Sequence, residues 1–99
     1  MFQIADLVIS VSGRDKDRIF MVVDNPEPGY VLIADGALRK LEKPKKKKTK
    51  HLKPLQYTVN ERMMEKISQG RKITNAELRK MLRALSEDES EEKQLHGGI

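Results

Sequence analysis

Residues 6–24 read DLVISVSGRDKDRIFMVVD. The first seven, 6–12, place Leu7, Ile9 and Val11 on one side of an extended chain and Val8, Ser10 and Ser12 on the other, the period of two that marks a strand. Gly13-Arg14-Asp15-Lys16-Asp17 then reads as a turn. Gly13 supplies a positive φ without steric cost, and Asp15 or Asp17 tolerates the left-handed region better than most residues. Residues 18–24, RIFMVVD, are almost continuously apolar and form the second strand of the expected hairpin.

Downstream, Asn25-Pro26-Glu27-Pro28-Gly29 carries Pro/Gly turn chemistry, Tyr30 to Ala34 reads as a third strand, and Asp35-Gly36 is a tight-hairpin signal. Leu38 to Leu41 are expected as a short fourth strand, with a candidate fifth near Leu55 to Val59. This spacing leaves no room for crossover helices, so the fold class expected for residues 1–58 is mainly β, a small antiparallel barrel. Beyond Thr58 the period changes. Met63, Met64 and Ile67 stand at helical spacing, with Gly70 as a C-terminal cap. Thr74-Asn75-Ala76-Glu77 is a capping box, Ile73 and Leu78 are placed for a hydrophobic staple, and Leu78, Met81, Leu82 and Leu85 form an apolar stripe. Residues 59–86 are therefore expected as a C-terminal helical hairpin, and 87–99 as an acidic disordered tail.

The chain has 99 residues, enough for one small domain with an appendage. Two Phe, two Tyr and no Trp mean that the core rests on Val, Ile, Leu and Met, and the absence of cysteine excludes disulfides and thiolate metal sites. The N-terminal MFQIADLVISV lacks a basic leader and is interrupted by Gln3 and Asp6, so it does not read as a signal peptide. A soluble, cytoplasmic monomer without membrane contact is the expectation. The net charge of +5 is unevenly spread. Residues 38–53, LRKLEKPKKKKTKHLK, hold Lys45, Lys46, Lys47 and Lys48 in succession among Arg39, Lys40, Lys43, Lys50 and Lys53, with Glu42 the single acid. Glu87, Asp88, Glu89, Glu91 and Glu92 gather near the other end, where they would shield the basic segment. A run this dense repels itself and settles against a polyanion; the plainer alternative is a solvated linker. The neighbouring β-patterned segment favours an RNA-binding surface with a basic arm at residues 43–53.

The block from Asp6 to Asp24, strand, Gly-Arg-Asp-Lys turn and strand, resembles the KOW motif, a hairpin of small SH3-like barrels in ribosomal proteins and transcription elongation factors. With Ser12-Gly13-Arg14-Asp15, Val22-Val23-Asp24, Tyr30-Val31-Leu32, Ala34-Asp35-Gly36, Leu38-Arg39-Lys40, Pro44-Lys45 and Lys50-His51-Leu52, residues 3–53 are similar to the archaeal and eukaryotic large-subunit ribosomal protein fourteen family. The chain departs from it where the family usually has Gly near Asp17. Its helical hairpin and acidic tail are shorter than the appendages of the longer eukaryotic members, which points to a compact bacterial relative. The resemblance implies an SH3-like (KOW) barrel and contact with RNA, specifically rRNA of the large ribosomal subunit.

On that reading Arg14, Lys16 and Arg18 project from the turn toward phosphates while Gly13 lets backbone approach backbone. Arg39 and Lys40 alternate faces, so one of the two meets RNA. Lys43, Lys45, Lys46, Lys47, Lys48, Lys50, His51 and Lys53 form the arm; about six phosphate contacts from it would give a salt slope of about −4. The lysines would set affinity and the planar arginines register. Arg79 and Arg83, at i and i+4 on the second helix, are expected to be a solvated face before a second RNA contact. Phe2, Phe20, Tyr30 and Tyr57 make no stacking platform, so RNA shape is the expected target. No triad, P-loop, paired-carboxylate cleft or HExxH is present, and neither enzyme activity, cofactor nor metal is expected. The competing reading is a protein-interaction module that docks to ribosomal or transcription proteins through the Leu78–Leu85 stripe; attachment to anionic lipid ranks last, for want of an insertion helix.

Overall fold

A computed structural model of the protein describes residues 2–55, 59 and 61–85. The hairpin at 6–24 forms as its pattern requires: β1 (Leu7–Ser10) pairs antiparallel with β2 (Ile19–Glu27), Leu7 opposite Met21 and Val8 opposite Phe20. β2 runs into the expected Pro/Gly turn, with two register shifts against β3, so that the turn shrinks to Pro28-Gly29, with φ 83° at Gly29. β3 (Tyr30–Ala34) returns along β2.

The next strand is not the expected one. Leu38 to Leu41 form no strand; β4 is the lysine run itself, Lys45–Lys48, paired with β3 so that Val31 faces Lys47 and Ile33 faces Lys45. The segment expected as an arm is thus an edge strand. Its pleat explains how: alternate lysines point to opposite faces, so no two adjacent ammonium groups share one side. A 3-10 turn at Thr49–His51 leads to β5 (Leu52–Pro54), which pairs with β1. The fifth strand therefore lies just before the stretch proposed for it, of which residues 56–58 are outside the described residues.

The sheet order is β4-β3-β2-β1-β5. In a flat sheet the outer strands would be about 19 Å apart. Yet β4 and β5 are consecutive, and the four steps from Lys48 to Leu52 reach at most about 14 Å. The sheet must therefore curl until its edges approach, although among the described residues no ladder joins β4 to β5. The turn between them is tied to both flanks: the Val11 amide donates to the His51 carbonyl at 2.9 Å and the Thr49 amide to the Gly29 carbonyl at 3.0 Å.

Curling gives the sheet two buried faces. Val8, Phe20, Val22, Val31, Ile33 and Leu52 fill the concave side. Ala5, Leu7, Met21 and Ala34 on the other side meet Val59, Met63, Leu78, Met81 and Leu82. This is why β2 is apolar at successive positions. The outer cover is a helical pair, α1 (Glu61–Ser68) and α2 (residues 75–85). α1 ends as expected at Gly70, φ 72°, where the Arg71 amide reaches the Lys66 carbonyl and the Gly70 amide that of Ile67, a Schellman pair. The capping box also forms: the Glu77 amide donates to Thr74 Oγ1 at 3.1 Å and the Thr74 amide to Glu77 Oε1 at 3.2 Å. Lys66 Nζ lies 2.6 Å from Glu77 Oε2 and joins the helices. The stripe from Leu78 to Leu82 is buried against the sheet, so it is no free surface for a partner. The acidic segment 87–99 lies outside the described residues.

Residues 35–44 form a loop that docks on the start of α2. The Leu41 amide donates to Asn75 Oδ1 at 2.8 Å, and Asn75 Nδ2 donates to the Glu42 carboxylate at 2.9 Å. Gly36, φ 78°, is pressed so close to α2 that a Cβ would fall 2.3 Å from the Asn75 carbonyl oxygen.

Candidate nucleic-acid interface

Ser10 closes β1 with its side chain on the concave face, fully buried, and a buried hydroxyl needs a partner. It donates to Asp15 Oδ1 at 2.8 Å. The turn wraps back to supply that carboxylate: the Lys16 amide donates to the Gly13 carbonyl, the Asp17 amide to Ser10 and the Arg18 amide to Asp15. Gly13 (φ 85°) and Asp17 (φ 71°) both take the left-handed conformation. Asp17 takes this conformation without being glycine, as its short polar side chain permits.

Asp15, 8 % exposed, is the electrostatic centre of this end of the sheet. Lys47 Nζ approaches its Oδ1 at 2.9 Å and Lys45 Nζ its Oδ2 at 3.2 Å. Lys47 is itself buried and also donates to the Ser12 carbonyl at 3.1 Å. Gly13 lies over it, a Cβ there falling 3.4 Å from Lys47 Nζ. Two lysines of the run therefore hold the turn in place from beneath. The outward-facing Lys46 pairs with Glu27 and sits 4.7 Å from the centre of the Tyr30 ring; the Glu27 hydrogen bond is the main cause of its raised pKa.

Burial pushes the Asp15 carboxyl up, but the hydrogen bonds from Lys47, Ser10 and Lys45 outweigh it and hold the group well below the usual carboxylate range. Glu77 is also lowered, chiefly by Lys66 and then by the Thr74 amide. Both folded values lie below the unfolded ones, so their stabilisation is complete above the unfolded carboxylate pKa, about 4, and is lost as pH falls through the folded values. Denaturant midpoints should accordingly fall steadily below about pH 4, and Asp15→Asn should flatten that acid limb. An equally steep limb in the variant would remove Asp15 as its source.

With Asp15 neutralised from below, the exposed face of the turn is left to cations. Arg14, Arg18, Arg39 and Lys45, with Asp15, Phe20 and Leu38, line a groove of ≈ 360 Å³ between the turn and the 35–39 loop. Arg18 is shared with an adjoining groove of ≈ 300 Å³ that includes Asp17, Asp35, Arg79 and Arg83. Among the described residues Arg14, Lys16, Arg18, Arg39, Lys40, Lys43, Lys48, Lys50 and Lys53 are exposed and have no carboxylate partner. Lys48 closes β4, Lys50 and His51 lie on the 3-10 turn and Lys53 in β5, and none of them lines either groove.

The sequence-derived set is therefore divided. Arg14, Arg18 and Arg39 come together; Lys45 and Lys47 are committed to Asp15; Lys46 is committed to Glu27. Arg79 and Arg83 are exposed, in keeping with the expected solvated helix face, and they also line the groove beside the turn, where Arg79 Nη1 donates to the Gly36 carbonyl at 3.1 Å. Their i, i+4 spacing was visible; that α2 would lie beside the turn was not. No helix among the described residues is long and apolar enough to cross a membrane, and no cluster of three or more His, Asp or Glu there could hold a metal ion. In comparisons with known proteins, no family model and no curated protein matches this chain.

Proposed function

We propose that this is a ribosome-associated RNA-binding protein of the KOW type, acting in translation or ribosome assembly. Its curled five-stranded sheet is the SH3-like barrel of that family, and its ligand is rRNA of the large subunit, met in the cytoplasm. One observation carries the reading: arginines distant in sequence, Arg14, Arg18 and Arg39, line one groove whose only carboxylate is neutralised by two lysines. Such a surface suits a polyanion of fixed shape, because guanidinium groups offer phosphates a planar, paired donor. Lys43, Lys48, Lys50 and Lys53 add exposed positive charge outside the groove. The docking alternative relied on the Leu78–Leu85 stripe, which packs on the sheet and offers a partner little.

If Arg14, Arg18, Arg39 and Arg83 each neutralise a phosphate, log affinity should fall with log salt at a slope of about −3. Replacing Arg14, Arg18 and Arg39 by Gln should bring that slope to about −1. Lys48, Lys50 and Lys53 changed to Gln should have the smaller effect; the opposite order would place binding away from the groove. On a sucrose gradient of lysate the wild-type protein should migrate with the large ribosomal subunit and leave it as salt rises. Migration only at the top at low salt would remove the ribosomal reading.

A further inference from the structure

We infer that the groove between the 13–18 turn and the 35–39 loop takes an unpaired, everted base of a structured RNA, in preference to uninterrupted duplex. The inference rests on the RNA-binding reading above and names the part of the RNA that this site selects. It turns on Leu38, which is 64 % exposed and lines the groove with Arg14, Arg18 and Arg39. A large apolar side chain gains nothing from phosphates, which these arginines already suit. It gains from the face of an extruded base, which packs against apolar side chains and stacks on guanidinium planes.

The loop that presents Leu38 is built to hold it out. Asp35 Oδ1 accepts from the Ala37 amide at 2.9 Å and the Arg39 amide at 2.8 Å. The Asp35 and Gly36 amides in turn donate to the Arg39 carbonyl at 2.9 and 3.1 Å. Gly36 is wedged against α2, whose Arg79 bonds its carbonyl. Leu38 thus sits in a closed loop whose backbone is fixed by these bonds. Beneath, Phe20 gives the groove an apolar floor. The groove's ≈ 360 Å³ lies within the range of sites that enclose small ligands. An A-form duplex keeps its bases stacked and offers side chains only backbone and a shallow minor groove, so it would leave Leu38 in water. Because Leu38 reads a face and makes no hydrogen bond, selection is for an unpaired base of any identity.

The test uses two RNA hairpins of the same stem sequence, each closed by the same non-nucleotide linker so that no loop base is unpaired, one fully paired and one carrying a single bulged 2-aminopurine. Binding to each is measured by anisotropy, and the stacking state of the bulged base by its fluorescence. Wild-type protein should bind the bulged hairpin about tenfold more tightly and change its fluorescence, as one stacked base allows. Leu38→Ser, at a solvent-exposed position, should lose that preference and the fluorescence change while keeping the affinity for the paired hairpin. Equal affinity of the wild-type protein for both hairpins, or a uniform weakening in Leu38→Ser, would overturn the inference and leave the RNA-binding reading standing. If neither hairpin bound, that reading would fall, and the inference with it.

Discussion

Asp15→Ala should lower stability by about 3–5 kcal/mol, the loss found when one partner of a buried ion pair is removed. Lys47 would remain buried with its charge uncompensated and only the Ser12 carbonyl to receive it. Ser10 would keep only the Ser12 carbonyl, at 3.0 Å, as acceptor for its hydroxyl, and Lys45 would lose its partner. The loss is a large share of the 5–15 kcal/mol that a small domain possesses. Within the lysine run the response should be position-specific. Lys47→Ala should cost nearly as much as Asp15→Ala, whereas Lys48→Ala, exposed and without a carboxylate partner among the described residues, should stay within about 0.5 kcal/mol. Replacing the pair together, Asp15→Ser with Lys47→Met, should recover most of the loss, because removing both members leaves no buried charge stranded, the partly exposed Lys45 being able to reach water. Urea unfolding followed by circular dichroism measures all four variants. Equal costs at Lys47 and Lys48 would show that the run acts as an undifferentiated patch of charge.

Gly36→Ala is the second substitution of large expected effect. A side chain at φ 78° costs about 1–2 kcal/mol in itself. Overpacking adds about 1–3 kcal/mol, since the new Cβ would meet backbone at Asn75, which cannot swing aside as a side chain would. Gly70→Ala supplies the comparison: its φ is 72° but nothing lies within 4 Å of a Cβ there, so only the conformational part applies. The difference between the two variants measures the closeness of loop and helix. Gly36→Ala should also weaken RNA binding, because the displaced loop carries Leu38 and Arg39, while Gly70→Ala should leave it unchanged. If the two variants lost equal stability, the close approach would carry no energy.

Local patterns were legible where local physics decides. Period two at residues 7–10, turn chemistry at Gly13, the capping box at Thr74 and the cap at Gly70 all involve partners within a few residues, and each formed. The fourth strand went the other way for the same reason. Leu38 to Leu41 have strand-like residues but belong to a loop closed by Asp35, and Lys45 to Lys48 have a composition no isolated strand would favour. What makes them a strand is an edge of β3 to pair with and a carboxylate 30 residues away for Lys45 and 32 for Lys47. Of the candidate site, the turn arginines were readable from their place in a hairpin; the contribution of α2 was not, because nothing in an i, i+4 arginine pair says which neighbour it will face.

The sequence by itself thus determined the hairpin, the two helices and the excess of positive charge, properties that follow from spacing and composition. Only the tertiary structure decided which cations face outward. A lysine's role depends on whether a carboxylate waits where its side chain ends, and curling of the sheet brought Asp15 against Lys45 and Lys47 while leaving Arg14, Arg18 and Arg39 facing solvent.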